Sequence, residues 1–339
     1  MTVAVTGYGL YRPPDRLTGA EIAARSGLPE AVVTEKMGIE EKRVCRPDAD
    51  HVSDMSVAAG RRALADAGLD AAELDLVVYH GSEYKDYYVW SAAAAVADRL
   101  GAETAYATEH HALCASTPTA MRRTRAQLAQ ADVETALHVT ASREHEIVDL
   151  ADGDASFMFD FGCGAAGYVM ERDPAPARVR ARVRESEAVT DGSFAEDVVM
   201  PAGGSRRPPS RETVAENLHT VTVRAPADMK SRMADVTADN FLSVADGALS
   251  ASGYGRADVD FAAITHVKRS FHDRLLAELG LSTAEQYYLA AYGHVQSVDQ
   301  WLALEEGLGL GRVDAGDVVL FLAAGTGYTW AATVLEWEG

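Results

Sequence analysis

A stretch of this chain recurs in plan, and the recurrence narrows the possible folds more than any other feature. Ala67-Gly68-Leu69-Asp70-Ala71-Ala72-Glu73-Leu74-Asp75-Leu76 resembles Ser252-Gly253-Tyr254-Gly255-Arg256-Ala257-Asp258-Val259-Asp260-Phe261, at an offset of 185 positions. Each reads as a helix end, a glycine cap, a short acidic link and a buried strand. A second correspondence, offset by 180, runs from Cys114 through a helix to a strand at Leu137, and from His294 through a helix to a strand at Val318. Helix–Gly–Asp–strand connections are common and recur by chance, but two offsets that agree within five residues favour a duplicated unit. A pseudo-twofold axis between the two units gives Cys114 and His294 equivalent positions, each just before a helix. Groups distant in sequence then face one another across a shared cleft.

The rest of the chain alternates apolar runs with Ala-rich helical patterns, as α/β layered folds do. Strands are expected at Thr2–Thr6, Leu74–His80, Leu137–Thr140, Phe157–Phe161, Tyr168–Glu171, Phe261–Thr265, Val318–Leu322 and Ala331–Glu336. The first of these is expected to end in the Gly-rich turn Gly7-Tyr8-Gly9. Helices are expected at Ser56–Ala67, Trp90–Leu100, Thr117–Gln130, Thr237–Ala251, Phe271–Leu279 and Val298–Glu306. Roughly 175–235, with its Gly203-Gly204-Ser205-Arg206-Arg207-Pro208-Pro209 run, reads as loops.

The net charge of −20 repels phosphate backbones and anionic lipid, which argues against nucleic-acid or membrane partners. There is no 18-residue apolar run for a membrane span and no signal-peptide pattern at the N-terminus, so a cytoplasmic protein is expected. Cys45, Cys114 and Cys163 lack metal-ligand spacing and read as free thiols in a reducing compartment.

Cys114 has the most reactive context of the three. His110-His111-Ala112-Leu113-Cys114-Ala115-Ser116-Thr117-Pro118 is an apolar turn followed by Ser/Thr caps, a first-turn proline and a long helix. The positive end of a helix stabilises a thiolate, the nucleophile that thioester exchange requires. The competing reading is a small buried hydrophobe, which Cys45 and Cys163 fit better. His294, in Tyr292-Gly293-His294-Val295-Gln296-Ser297-Val298-Asp299, has a carboxylate within reach to fix its tautomer, although Asp299 also fits as a dipole-favoured surface residue. His266 ends an expected strand, where open α/β sheets bind ligands. Glycines in Ala323-Ala324-Gly325-Thr326-Gly327-Tyr328-Thr329-Trp330 let backbone N–H groups approach a reacting carbonyl.

Taken together, Met37-Gly38-Ile39, the Cys114 turn, Phe161-Gly162-Cys163-Gly164-Ala165-Ala166, Asp191-Gly192-Ser193, His266, Tyr292-Gly293-His294 and Gly325-Thr326-Gly327-Tyr328-Thr329-Trp330 resemble the ketoacyl-synthase III family of the thiolase superfamily. The resemblance implies a thiolase fold: two similar βαβαβαββ lobes, residues 1–172 with the nucleophilic Cys and 173–339 with the catalytic histidines, stacked as a layered αβαβα sandwich. It implies Cys114 as the acyl acceptor, His266 as the family His, and an oxyanion hole from the backbone amides of Cys114 and Thr326. It also implies a homodimer with no bound cofactor or metal.

Where the family usually has Asn, this chain has His294. That departure, with Asp299 behind it, resembles an offshoot that makes esters. The expectation is therefore an acyltransferase moving an acyl group, malonyl foremost, through Cys114 to a hydroxyl of a sugar or polyketide acceptor. Two alternatives stay open: a decarboxylating condensing enzyme and a catalytically silent partner subunit. Glu40-Glu41 stands where relatives often carry an Arg that aids coenzyme A binding, and their adenine-stacking Trp is missing nearby. The donor is thus coenzyme A or, more attractively, the phosphopantetheine of an acyl carrier protein. Lys268, Arg269, Arg274, Arg206 and Arg207 are candidates for its docking patch. The loops 82–92 and 186–232 are expected to shape the pocket, with Tyr84, Tyr87, Tyr88 and Trp90 lining it or meeting a second subunit.

Overall fold

The computed structural model describes residues 1–130 and 132–339. Nine strands form one mixed sheet: β1 (Val3–Tyr11), β2 (Leu76–Gly81), β3 (Tyr106–His111), β4 (Thr135–Ser142), β5 (Gly164–Arg172), β6 (Ala181–Thr190), β7 (Phe261–Ile264), β8 (Val318–Gly325) and β9 (Thr329–Trp337). Their order is β7-β8-β9-β6-β1-β5-β4-β2-β3. From β1 outward, β5 and then β4 add antiparallel and β2 adds parallel. From β6 outward, β9 and then β8 add antiparallel and β7 adds parallel. The two halves thus repeat one topology over four strands, β3 adding parallel beyond β2 in the first half alone, and they join where β1 pairs with β6 at Ala4 and Val5.

Alternation along the strands sorts side chains into layers. Val77 and Tyr79 of β2 pack with α1 (Val52–Ala67) and α2 (Ala92–Leu100) on one outer face, while Leu76 and Val78 point to the middle. Ala262 and Ile264 of β7 pack with α4 (Pro226–Ser252) and α5 (Arg269–Leu279) on the other outer face, and Phe261 and Ala263 point to the middle. The middle layer holds α3 (Ser116–Gln127) and α6 (Asp299–Gly309), which contribute Met121, Trp301 and Leu302. The result is the five-layered αβαβα sandwich of the thiolase fold.

The recurrent segments adopt matching structures. α1 and α4 both end at a left-handed glycine, Gly68 (φ 66°) and Gly253 (φ 86°), followed by a 3-10 turn (Ala71–Glu73, Arg256–Asp258) and then by β2 or β7. Other local expectations need correction. Gly7-Tyr8-Gly9 is not a turn: β1 runs through it. A Cβ at Gly9 would sit 2.8 Å from Ala63 N, so these glycines let α1 lie directly on the strand. Phe157–Phe161 is not a strand; Gly153–Met158 forms 3-10 turns and Phe161 makes an isolated parallel bridge with His294. The section expected to be loops contains β6 and the first turns of α4. Cys45 and Cys163 are joined as a disulfide, their Cα atoms 5.9 Å apart, rather than being free thiols. None of the described helices is long and apolar enough to cross a membrane.

Within the middle layer, His80 of β2 and His138 of β4 are fully buried beside Tyr168 of β5. The His138 ring stacks on Tyr168 at 4.5 Å, and Tyr168 Oη and His80 Nε2 share a hydrogen bond of 3.1 Å. Burial, and then the neighbouring His110, pushes His138 down to about 3. Burial, and then His138, His110 and His111, drives His80 well below its ordinary value. The folded state therefore binds fewer protons than the unfolded chain, whose histidines titrate near ~6.5. Stability present above that pH is lost as the pH falls, at up to roughly 1.4 kcal/mol per pH unit for each histidine. The melting temperature should fall steeply between about pH 6.5 and pH 4.5, and His138→Phe, which retains the stacked ring, should flatten the decline. Parallel Tm–pH curves for the two proteins would contradict this account.

Candidate active site

Chain direction reverses sharply between β3 and α3. Leu113 takes a left-handed backbone (φ 51°) and starts a 3-10 turn, Leu113–Ala115, that leads straight into the helix. No side chain caps α3; Ser116 Oγ instead accepts from Ala112 N at 2.9 Å and donates to Gly81 O at 3.3 Å, tying the turn to the end of β2. Cys114 thus sits at the positive end of α3. It is only 5% exposed but lines a cavity of about 600 Å³.

His294 approaches from the other half of the fold. Gly293 has φ 67° and a Cβ there would collide with Asp160 O, so only glycine fits there. His294 N donates to Asp160 O at 2.9 Å and Gly162 N donates to His294 O at 2.8 Å, which fixes the backbone on both sides. The ring then bridges two groups: Nδ1 lies 2.6 Å from Asp299 Oδ2, and Nε2 lies 3.0 Å from Cys114 Sγ. Two further bonds lock the helix starts together, Thr117 Oγ1 to Ser297 O at 2.6 Å and Ser297 Oγ to Leu113 O at 2.7 Å.

Asp299 is wholly buried, not a surface residue. Its Oδ1 accepts from Val295 N at 2.6 Å, and its Oδ2 accepts from His266 N at 2.7 Å and Thr265 Oγ1 at 3.0 Å as well as from His294. A carboxylate accepts only, so the His294 proton on that side is on Nδ1 and Nε2 faces the sulfur. Burial alone would push His294 down. The Cys114 sulfur and the Asp299 carboxylate outweigh it and raise the imidazole well above its ordinary range. An imidazole so placed can take the thiol proton when the sulfur attacks as thiolate.

His266 follows β7 and lines the same cavity, and its Nδ1 lies 2.8 Å from Asp160 Oδ2. Sequence reasoning missed Asp160, because it lies inside the apolar run misread as a strand. It also missed Lys42, whose buried Nζ donates to Phe159 O at 2.7 Å. The end of β8 presses on the Cys114 turn: a Cβ at Gly325 would lie 2.9 Å from Ala115 N and 3.1 Å from Cys114 N. Thr326 lines the cavity beside it.

The five cationic docking candidates do not gather there. Arg269 pairs with Asp273 and lies over the Tyr288 ring, and Arg274 faces Glu278. Arg206 and Arg207 pair with Glu196 and Glu216 on an outer excursion. Lys268 does line the cavity, as does Lys230, which the sequence did not single out. Of the two loops, 186–232 contributes Val223, Pro226 and Met229 to the wall, whereas Tyr84, Tyr87, Tyr88 and Trp90 are not part of it. Among the described residues, potential metal ligands cluster at Cys45, His145 and Cys163, within 4.8 Å of one another.

Two family models, described as 3-oxoacyl-[acyl-carrier-protein] synthase III and as the C-terminal part of the same enzyme, match residues 109–192 and 249–337, together just over half of the chain. The chain belongs to the synthase III family. Among its curated relatives is a beta-ketoacyl-[acyl-carrier-protein] synthase III of Desulfitobacterium hafniense, 27% identical over 100% of this chain and 98% of the relative. The enzyme of that name from Symbiobacterium thermophilum is 28% identical over 99% and 98%. The fold matches that of 3-oxoacyl-(acyl carrier protein) synthase III from Pseudomonas aeruginosa with a TM-score of 0.86, at 21% identity over 100% of this chain and 99% of that one. The synthase III structure from Aquifex aeolicus gives 0.84, at 21% over 99% and 100%. This synthase III relative is therefore an enzyme of the transferase, condensing type. The expectation of an ester-forming acyltransferase is corrected by the full-length relatives, whose shared name is that of a condensing enzyme.

If His294 and Asp299 maintain the reactive state of the sulfur, Asp299→Asn and His294→Gln should each slow alkylation of Cys114 by iodoacetamide at pH 7. A drop of roughly tenfold corresponds to ~1.4 kcal/mol of lost charge stabilisation. Mass spectrometry of the Cys114 peptide over time measures it, and unchanged alkylation in both variants would refute the coupling.

Proposed function

We propose that this chain is a decarboxylating condensing enzyme: Cys114 takes an acyl group from a thioester donor, and the bound acyl group is then joined to the carbanion released from a malonyl thioester. The observation that carries this reading is the contact of 3.0 Å between Cys114 Sγ and His294 Nε2 in a cavity that also holds His266. The full-length likeness to enzymes named beta-ketoacyl-[acyl-carrier-protein] synthase III supports it.

In the first half-reaction the thiolate attacks the donor carbonyl. The developing oxyanion faces the backbone N–H groups of Cys114 and Thr326, which are preorganised because Gly325 brings the end of β8 against the Cys114 turn. Collapse expels the donor thiolate, which leaves as a thiol with the proton held by His294. In the second half-reaction the malonyl carboxylate departs as carbon dioxide, leaving a carbanion stabilised as an enolate. Attack on the Cys114 thioester forms the new carbon–carbon bond and returns the sulfur as thiolate, and His294 regains its proton from solvent. Phe157, Met229, Met233, Phe241 and Phe271 give the cavity an apolar wall suited to an acyl chain or the arm that carries it. Lys230 and Lys268 line it as well and suit the anionic end of a coenzyme A or carrier-protein donor.

The test supplies acetyl-coenzyme A and malonyl thioester together and follows carbon dioxide, the β-ketoacyl product and the intact mass of the protein. An acyl adduct on Cys114, with product and carbon dioxide in equal amounts, is expected. Cys114→Ala should lower product formation by roughly a thousandfold or more, as loss of a covalent nucleophile does. A malonyl adduct that stays on Cys114 with no carbon dioxide released would refute the condensing reading.

A further inference from the structure

His266 and its surroundings contain a buried ionic arrangement that acylation of Cys114 does not use. The imidazole is buried, its Nδ1 is 2.8 Å from Asp160 Oδ2, and its Nε2 has no hydrogen-bond partner. Asp160 Oδ1 is likewise buried and unpartnered. Both residues line the cavity that reaches Cys114. Because a carboxylate only accepts, the Nδ1 proton of His266 is directed at Asp160, and Nε2 is the atom left for a ligand. Such a pair repeats on the second imidazole the relation of Asp299 to His294, but its free nitrogen has no sulfur to bond.

We propose that Asp160 is the positioning residue of the carbon–carbon bond-forming half-reaction, holding His266 so that Nε2 of its charged form donates to the enolate oxygen of the decarboxylated malonyl unit. The inference rests on the condensing reading. It adds a division of labour: the His294–Asp299 pair serves the sulfur, and the His266–Asp160 pair serves the incoming nucleophile. Before decarboxylation, the malonyl thioester carbonyl accepts from the imidazolium Nε2–H. As the bond to the carboxylate breaks, its electron pair moves into the enolate and carbon dioxide leaves. The same N–H then holds the full enolate oxygen until the pair attacks the Cys114 thioester, so no proton is gained or lost at His266.

The groups facing His266 are of both signs. The Tyr288 ring lies 5.0 Å from the His266 ring, and the His272 ring meets that tyrosine edge-on at 5.0 Å. Arg269 lies over the Tyr288 ring, and Asp299 binds the His266 backbone N–H. Lys42 stands behind Asp160; burial lowers it to about 8 against the pull of that carboxylate. Lys268, two residues along, lines the cavity with it.

Asp160→Asn keeps the shape and removes the charge. Two rates are measured against pH: acylation of Cys114 by acetyl-coenzyme A, followed by intact mass, and carbon dioxide release from malonyl thioester by enzyme already acylated. The variant should acylate within about twofold of wild type, release carbon dioxide roughly 10- to 100-fold more slowly, and show the alkaline limb of that second rate at lower pH. Asp160→Glu, which restores the charge, should recover part of the second rate. Equal loss of both rates would show a merely structural role, and an unchanged second rate or pH profile would overturn the proposal. If wild-type enzyme releases no carbon dioxide at all, the condensing reading itself fails, an outcome distinct from either.

Discussion

Asp299 accepts bonds from the backbone of Val295 and His266, from Thr265 Oγ1 and from His294 Nδ1 while wholly excluded from water. A buried carboxylate is costly unless donors surround it, and here the donors come from the end of β7, from the turn before α6 and from the imidazole itself. Satisfying the one charge therefore fixes three pieces of chain at once. It sets the tautomer and direction of His294, and through His294 the distance to Cys114 Sγ. Any substitution that leaves the charge without a donor, or the donors without a charge, disturbs all three pieces together.

The duplicated plan explains why the site lies where it does. Each half begins a helix in the middle layer, after β3 in one and after the Phe161–His294 bridge in the other, and Thr117 and Ser297 tie the two helix starts together. One half supplies sulfur under a helix terminus and the other supplies imidazole over a buried acid. The same backbone construction carries different chemistry on its two sides. Around this centre the wall of the cavity is built from less symmetrical material: the first turns of α4, the 3-10 turns at 153–158 and the end of β8.

Much of the fold was legible because it depends on local patterns. Gly68 and Gly253 read as helix caps from their neighbours alone, and each has the left-handed backbone that such a cap requires. β6 was not legible. Its residues, Ala-Arg-Val-Arg-Glu-Ser-Glu-Ala-Val-Thr, are only partly buried, and its charged groups meet partners such as Glu338, Glu336 and Arg125 that lie far along the chain. The run around Asp160 misled for the opposite reason: its phenylalanines are apolar enough for a strand, but they pack as turns against the His294 segment. The arginines were legible as charges, but their acidic partners were not.

By itself, the sequence determined a duplicated α/β plan, a thiol at the start of a helix and a histidine at the corresponding place 180 residues later. These follow from glycine caps, strand alternation and helix starts, all of which act within a few residues. Only the tertiary structure decided that His266 takes Asp160 and that Cys45 meets Cys163. Each of those pairings depends on where distant backbone segments come to rest. A bond of about 3 Å is set by the packing of whole layers, and no short stretch of residues encodes it.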